Sequence, residues 1–179
     1  MEQQVKQVPY GVADFATVMT QNLYYVDKTM FLVELEKQPR NLFFIRPRRF
    51  GKSIFLSMLY SYYDCNQKNK FETLFGNLWI GKHPTSLQGT YQVLFLDFSQ
   101  ITGKIDVLEE RFNAYMGINI NDFVRRYAQY YQEEKEEILS KTDYADKIEL
   151  LFKAAKAHDY HLYLIIDEYD NFTNVVLNE

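Results

Sequence analysis

Asn41-Leu-Phe-Phe-Ile-Arg-Pro-Arg-Arg-Phe-Gly-Lys-Ser-Ile-Phe-Leu-Ser-Met-Leu-Tyr60 is the stretch from which the rest of the chain is read. It predicts a buried strand over 42–45, a tight basic loop over 46–51 and a helix opening at Lys52-Ser53. A strand, a glycine-containing loop, Gly-Lys-Ser and an apolar helix together make the layout of a phosphate-binding loop. A helix N-terminus presents unpaired N–H groups and a partial positive charge, so phosphate oxygens settle there. In that layout Lys52 reaches the β- and γ-phosphates and the Ser53 hydroxyl ligates Mg²⁺. The nucleotide-contacting run is Arg46, Pro47, Arg48, Arg49, Phe50, Gly51, Lys52, Ser53 and Ile54. Lys52 counts among the catalytic residues as well.

The strict pattern, G-x-x-x-x-G-K-[ST], puts Arg46 where its first glycine belongs. That glycine normally lets the chain turn off the strand with no Cβ in the way. Here Arg46-Pro47 turns the chain, Pro47 fixing its own φ and biasing Arg46 towards extended geometry. A lone Gly-Lys-Ser is a weak signal, so a second one is needed downstream.

The chain has 179 residues, length for one domain with a substantial core, and we read 1–179 as a single domain with a flexible start over 1–9. Its 15 Tyr and 14 Phe imply many rings packed with their hydroxyls wet. A net charge of −4 argues against wholesale nucleic-acid or anionic-membrane binding. The single cysteine, Cys65, excludes an internal disulfide and fits a reducing compartment; a small residue near a helix end is its simplest role. His83, His158 and His161 show no metal-ligand spacing. With no membrane-length apolar run and no signal-peptide pattern, a cytoplasmic location is expected.

Residues 23–27 read as a short extended segment. Asp27 or Thr29 then caps a helix through about Lys37. The helix after the loop, about Lys52 to Asp64, is apolar nearly all round and should lie against a sheet. A short helix is expected over 71–78, a loop over 81–89 and a strand buried on both faces over 91–98. Helical spacing follows at Leu108, Phe112, Tyr115 and Met116, then at Val124, Tyr127, Ala128 and Tyr131. It returns at Ile148, Leu151, Phe152 and Ala155. The segment 117–121 is expected to separate the first two helices, and 140–143 to start the third. The acidic run 133–137 reads as a solvated helix face. A third buried strand, 161–166, ends in Asp167-Glu168. Strands alternating with helices imply a mostly parallel sheet with helices on both faces, and ligands bind at the carboxyl ends of such strands.

An apolar strand ending in Asp-Glu is the second signal, a Walker B pattern. Asp167 would support Mg²⁺, chiefly through its water shell, and Glu168 would polarise the water that attacks the γ-phosphate. Alternatively, such a strand ends in acids because its end meets solvent. Arg48 and Arg49 touch phosphates or simply make a basic loop. Asp97 and Ser99 orient water or metal, or cap a loop. Tyr25 packs on a base or in the core, and Trp79 anchors packing.

With both signals in hand, the chain resembles the AAA-ATPase-like proteins found mainly in bacteria. The resemblance rests on Tyr25-Val-Asp-Lys-Thr29, Arg46-Pro-Arg-Arg-Phe-Gly-Lys-Ser53, Leu78-Trp79-Ile80, Leu96-Asp-Phe-Ser99 and Ile165-Ile-Asp-Glu-Tyr169. Members of that family commonly lack the first glycine. The resemblance implies an α/β P-loop NTPase fold of the additional-strand catalytic-glutamate type, with one more strand between those carrying the two motifs. It also implies a longer protein, often with a C-terminal nuclease-like domain, so this chain reads as an N-terminal part with an incomplete fold. Its unpaired strands would then invite self-association. The expected activity is Mg-dependent ATP binding and hydrolysis in the full-length protein, weak or absent in the fragment. The rival readings are a nucleotide-dependent switch or scaffold with little hydrolysis, a regulatory module for a nucleic-acid-acting C-terminal region, and a P-loop kinase.

Overall fold

The computed structural model describes residues 5–45, 47 and 50–171. Cα packing divides the chain into two compact units, Met1–Thr90 and Tyr91–Glu179.

The first unit is helical among its described residues. α1 (Phe15–Thr20), a helix not expected from the sequence, starts at Asp14, whose carboxylate accepts the Thr17 N–H at 2.7 Å. Its other oxygen accepts the Ser57 hydroxyl at 3.1 Å, while Ser57 Oγ accepts the Phe15 N–H at 3.0 Å. Burial alone would raise the Asp14 pKa, but these hydrogen bonds from Thr17 and Ser57 hold it below its ordinary value. Ser57 belongs to α3 (Lys52–Tyr63), which agrees with the expected helix to within a residue. Within its unit α3 packs on α1 and not on a strand. The core there is Phe15, Leu32, Met58, Tyr62 and Phe75, with Phe15 stacked on Phe75 at 4.9 Å.

The predicted strand over 42–45 does not form. Phe43 and Ile45 are each 80% exposed. A ladder requires a neighbouring strand, and the described residues of this unit contain none; Phe44 instead stacks on Phe55 of α3 at 4.9 Å. α2 (Phe31–Leu35) lies inside the expected helix; the helix expected over 71–78 is shorter, α4 (Phe71–Phe75), and α5 (Trp79–Lys82), which was not expected, runs into the start of the expected 81–89 loop. A Cβ at Gly81 would meet the Phe75 carbonyl oxygen at 2.0 Å, so glycine is what lets these two short helices meet.

The start of α5 explains two of the sequence blocks quoted above. Asp27 Oδ1 accepts both the N–H and the hydroxyl of Thr29, and Oδ2 accepts the Trp79 N–H at 2.7 Å. The fully buried Thr29 hydroxyl oxygen accepts the Ile80 N–H at 3.1 Å. Asp27 and Thr29 therefore satisfy the orphan donors of α5 from a distant part of the chain. Trp79 itself remains partly exposed and stacks on His83 at 4.5 Å.

The second unit holds two parallel strands, β1 (Gln92–Asp97) and β2 (Leu162–Asp167), paired from Gln92 opposite Leu162 to Asp97 opposite Asp167. Parallel neighbours need a long crossover, and α6 (Ile105–Arg126), α7 (Lys135–Ser140) and α8 (Tyr144–Ala157) supply it. The expected break at 117–121 is absent: α6 runs unbroken through Gly117. Buried Met116 and Ile120 flank that glycine, and their burial outweighs its cost of about 1 kcal/mol. α6 ends at Arg126, before the spacing predicted, because Tyr127 and Tyr131 turn onto β1. Tyr127 Oη accepts the Val93 N–H at 2.9 Å, and the Tyr131 hydroxyl donates to the Gln92 side chain. Tyr115 Oη accepts the Asp97 N–H at 2.7 Å. Two tyrosine hydroxyls thus satisfy the β1 donors at Val93 and Asp97. β2 is less buried than expected, Leu164 being 54% exposed.

α8 starts where the sequence places it, at Asp143, whose carboxylate accepts the Ala145 N–H. Buried Lys147 directs its ammonium at the Ile138 and Leu139 carbonyls and at Asn121 Oδ1, closing the C-terminus of α7. Burial, with Arg125 nearby, lowers its pKa. Among the described residues no helix is long and apolar enough to cross a membrane.

Two stability measurements check these assignments. Apart from its chain neighbours and its own helix backbone, no atom of the described residues lies within 4 Å of a Cβ built on Gly117, so Gly117→Ala should raise stability by about 0.5–1 kcal/mol. Asp27→Ala should lower it by about 1–3 kcal/mol. Chemical denaturation of each variant reads both.

Candidate functional site

Gly51 sits at φ +75°, ψ +29°, the left-handed region that glycine adopts without strain, and is the residue from which α3 opens. Its carbonyl accepts the Phe55 N–H at 3.2 Å, so the first turn of α3 is formed and its leading N–H groups come from Lys52, Ser53 and Ile54. These three are half-buried, while Pro47 and Phe50 are exposed. The Pro47 carbonyl accepts the Phe50 N–H at 3.4 Å. Arg46, Arg48 and Arg49 lie outside the described residues.

A cleft of about 210 Å³ opens beside this helix start, lined by Pro9, Tyr24, Tyr25, Val26, Lys28, Gly51, Ile54 and Phe55. Its walls are aromatic or aliphatic except for the Lys28 ammonium and the tyrosine hydroxyls. Tyr25 also packs edge-on against Phe15 at 5.3 Å, so its core role is real. Burial, and then the charge of Asp27, push its hydroxyl pKa well up, which keeps it neutral at any ordinary pH. The cleft and the lysine were the part of the site that sequence spacing did not reveal.

The acidic residues belong to the second unit. Asp97 and Asp167 end neighbouring parallel strands in register, so their backbones lie side by side at the carboxyl end of the sheet. Asp167 is only 5% exposed, and its Oδ1 accepts the N–H of Glu168 at 2.9 Å. Glu168 is held at φ +51°, an uncommon conformation for a residue bearing a Cβ. Asp97 Oδ1 accepts the Ser99 N–H at 3.0 Å and so caps the short 3₁₀ helix Phe98–Gln100, the plainer of the two roles expected for that pair. Among the described residues no cluster of three or more His, Cys, Asp or Glu gathers at metal-binding distance. In the second unit the carboxylates of Asp97 and Asp167 are hard oxygen donors.

A family model described as AAA-ATPase_like, Predicted AAA-ATPase, matches residues 9–179. The chain belongs to this AAA-ATPase-like family. Membership supports nucleotide binding and an ATPase-like role in general terms. A protein of Azotobacter chroococcum mcd 1, described as an uncharacterized protein in the vnfD 5′ region, is 35% identical over 108 residues. That similarity covers 56% of this chain and 20% of the relative, so the chain spans about a fifth of that protein's length. No solved structure matches.

The left-handed backbone at Glu168 carries a testable cost. Glu168→Gly removes the Cβ that makes this conformation unfavourable and should stabilise the second unit by on the order of 1 kcal/mol. The midpoint of thermal unfolding should rise, although the carboxylate is lost.

Proposed function

We propose that this chain is the nucleotide-binding part of an Mg-dependent ATPase. The observation that carries this reading is the opening of α3 at a left-handed Gly51, followed by Lys52 and Ser53, beside a cleft with aromatic walls. Phosphate oxygens accept hydrogen bonds from the first N–H groups of α3, where the helix dipole favours negative charge. Lys52 balances the charge on the outer phosphates. The nucleotide base lies against Tyr24 and Tyr25, whose rings provide a flat apolar surface. Arg46, Arg48 and Arg49 belong to the same phosphate-contacting run.

In this reading the Ser53 hydroxyl of the first unit would ligate Mg²⁺, the Asp167 carboxylate of the second would support it chiefly through its water shell, and the ion would supply neutralisation of phosphate charge. Glu168 accepts a proton from the water that attacks the terminal phosphate. Its backbone N–H bond to Asp167 ties the orientation of the two acids together.

Two variants separate binding from turnover. Lys52→Ala should weaken ATP binding at least tenfold, measured by titration with Mg²⁺ present. Glu168→Gln should bind ATP within about twofold of the wild type and lose turnover by about 10²–10⁴-fold. Equal loss of binding in both variants would remove Glu168 from the chemistry. Tight binding with no wild-type turnover would instead favour a nucleotide-dependent switch.

A further inference from the structure

Glu168 does not hold its unusual backbone conformation unaided. Three residues on, Asn171 donates its own backbone N–H to the Glu168 carbonyl at 3.0 Å, closing a turn over 168–171. The Asn171 side chain then reaches back across the sheet end. Its Nδ2 donates to the Phe98 carbonyl at 2.9 Å and to the Ile101 carbonyl at 2.9 Å. Those carbonyls begin and close the short turn after β1 that Asp97 caps. One amide therefore fastens the segment after β2 to the segment after β1, immediately beyond Asp97 and Asp167.

We infer that Asn171 is the positioning residue that sets the direction of the Glu168 carboxylate relative to the end of β1, an inference that rests on the catalytic role proposed for Glu168. The chemistry of the group supports this specifically. The two contacts use both N–H bonds of one amide, so a carboxylate of nearly the same size would bring negative oxygens against two carbonyl oxygens. A left-handed residue persists only where its surroundings over-determine it. Three described hydrogen-bonding groups restrain this turn: the Glu168 N–H bond to Asp167, the Asn171 N–H bond to Glu168 and the Asn171 side chain. The Asn171 side chain links the turn to a different strand end. Freed from it, the turn can relax while β2 and its ladder stay intact. Asn171 acts through Glu168 and has no assigned contact with nucleotide.

The test compares Asn171→Asp and Asn171→Ser with wild type, Lys52→Ala and Glu168→Gln in the full chain. ATP affinity, single-turnover hydrolysis and amide hydrogen exchange over 168–170 are measured for each. Asn171→Asp should keep ATP affinity within about twofold, slow hydrolysis by about ten- to hundredfold and speed exchange at 168–170. Asn171→Ser, which retains a single donor, should fall between Asp and wild type and keeps the test decisive if Asn171→Asp fails to fold. Wild-type hydrolysis in both Asn171 variants, beside an inactive Glu168→Gln, overturns this inference alone. Loss of affinity in step with turnover, or unchanged exchange at 168–170, also overturns it. If Glu168→Gln hydrolyses ATP as the wild type does, the catalytic reading of Glu168 fails and the inference fails with it.

Discussion

The parallel, in-register pairing of Gln92–Asp97 with Leu162–Asp167 is the constraint on which the second unit depends. Two parallel strands cannot be joined by a tight turn, so the chain between them must travel the length of the sheet and return. It does so through α6, α7 and α8, and the long α6 is seated against β1. The outward N–H groups of β1 at Val93 and Asp97 must also be satisfied. Tyr127 and Tyr115 meet them with hydroxyls while burying their rings. Part of the chain's large tyrosine content is accounted for here, because tyrosine combines an apolar body with a polar tip. The same pairing brings Asp97 and Asp167 side by side.

The first unit solves a different problem. Its helices are short, and short helices leave a large share of their backbone groups without intrahelical partners. Side chains from remote positions make up the deficit. Asp27 and Thr29 serve the start of α5, and Asp14 with Ser57 ties the start of α1 to α3. A further network joins Glu36, Tyr63, Thr85 and Tyr62. Aromatic stacking among Phe15, Phe75 and Tyr62 fills the space between. Two of the sequence blocks on which the family resemblance rested, Tyr25-Val-Asp-Lys-Thr29 and Leu78-Trp79-Ile80, therefore meet in one cap. Their residue types follow from hydrogen-bond satisfaction in the fold, whatever the ligand.

At the candidate site the physical requirements run in opposite directions. Gly51 takes a left-handed conformation at no steric cost, because it has no Cβ. Glu168 takes a similar conformation against a cost, held by neighbours on both sides. Under the proposed function, a backbone amide serves a phosphate wherever the chain turns correctly, whereas the proposed water-activating group requires a carboxylate even at a strained position. Backbone strain of this kind persists only where the surroundings over-determine it, and the Asn171 bonds are among the contacts that do so.

The sequence by itself determined the elements whose signal is local. The helix opening at Lys52-Ser53, the cap at Asp143 and the apolar strands beginning near Tyr91 and His161 were all legible, because periodicity and capping act over a few residues. The Gly-Lys-Ser helix start and the Asp-Glu strand end were legible as sequence patterns, and the resemblance they helped carry pointed to the family to which the chain belongs. Only the tertiary structure decided whether Gly117 would break a helix, since buried neighbours on either side outweigh a propensity of about 1 kcal/mol. It also decided that 42–45 carries no ladder among the described residues, because a strand is a property of a pair and not of a segment. The cleft beside Gly51, the Asp27–Trp79 cap and the reach of Asn171 to Phe98 and Ile101 join residues distant in the chain. Spacing along a sequence carries no information about such contacts, which exist only once the chain has packed.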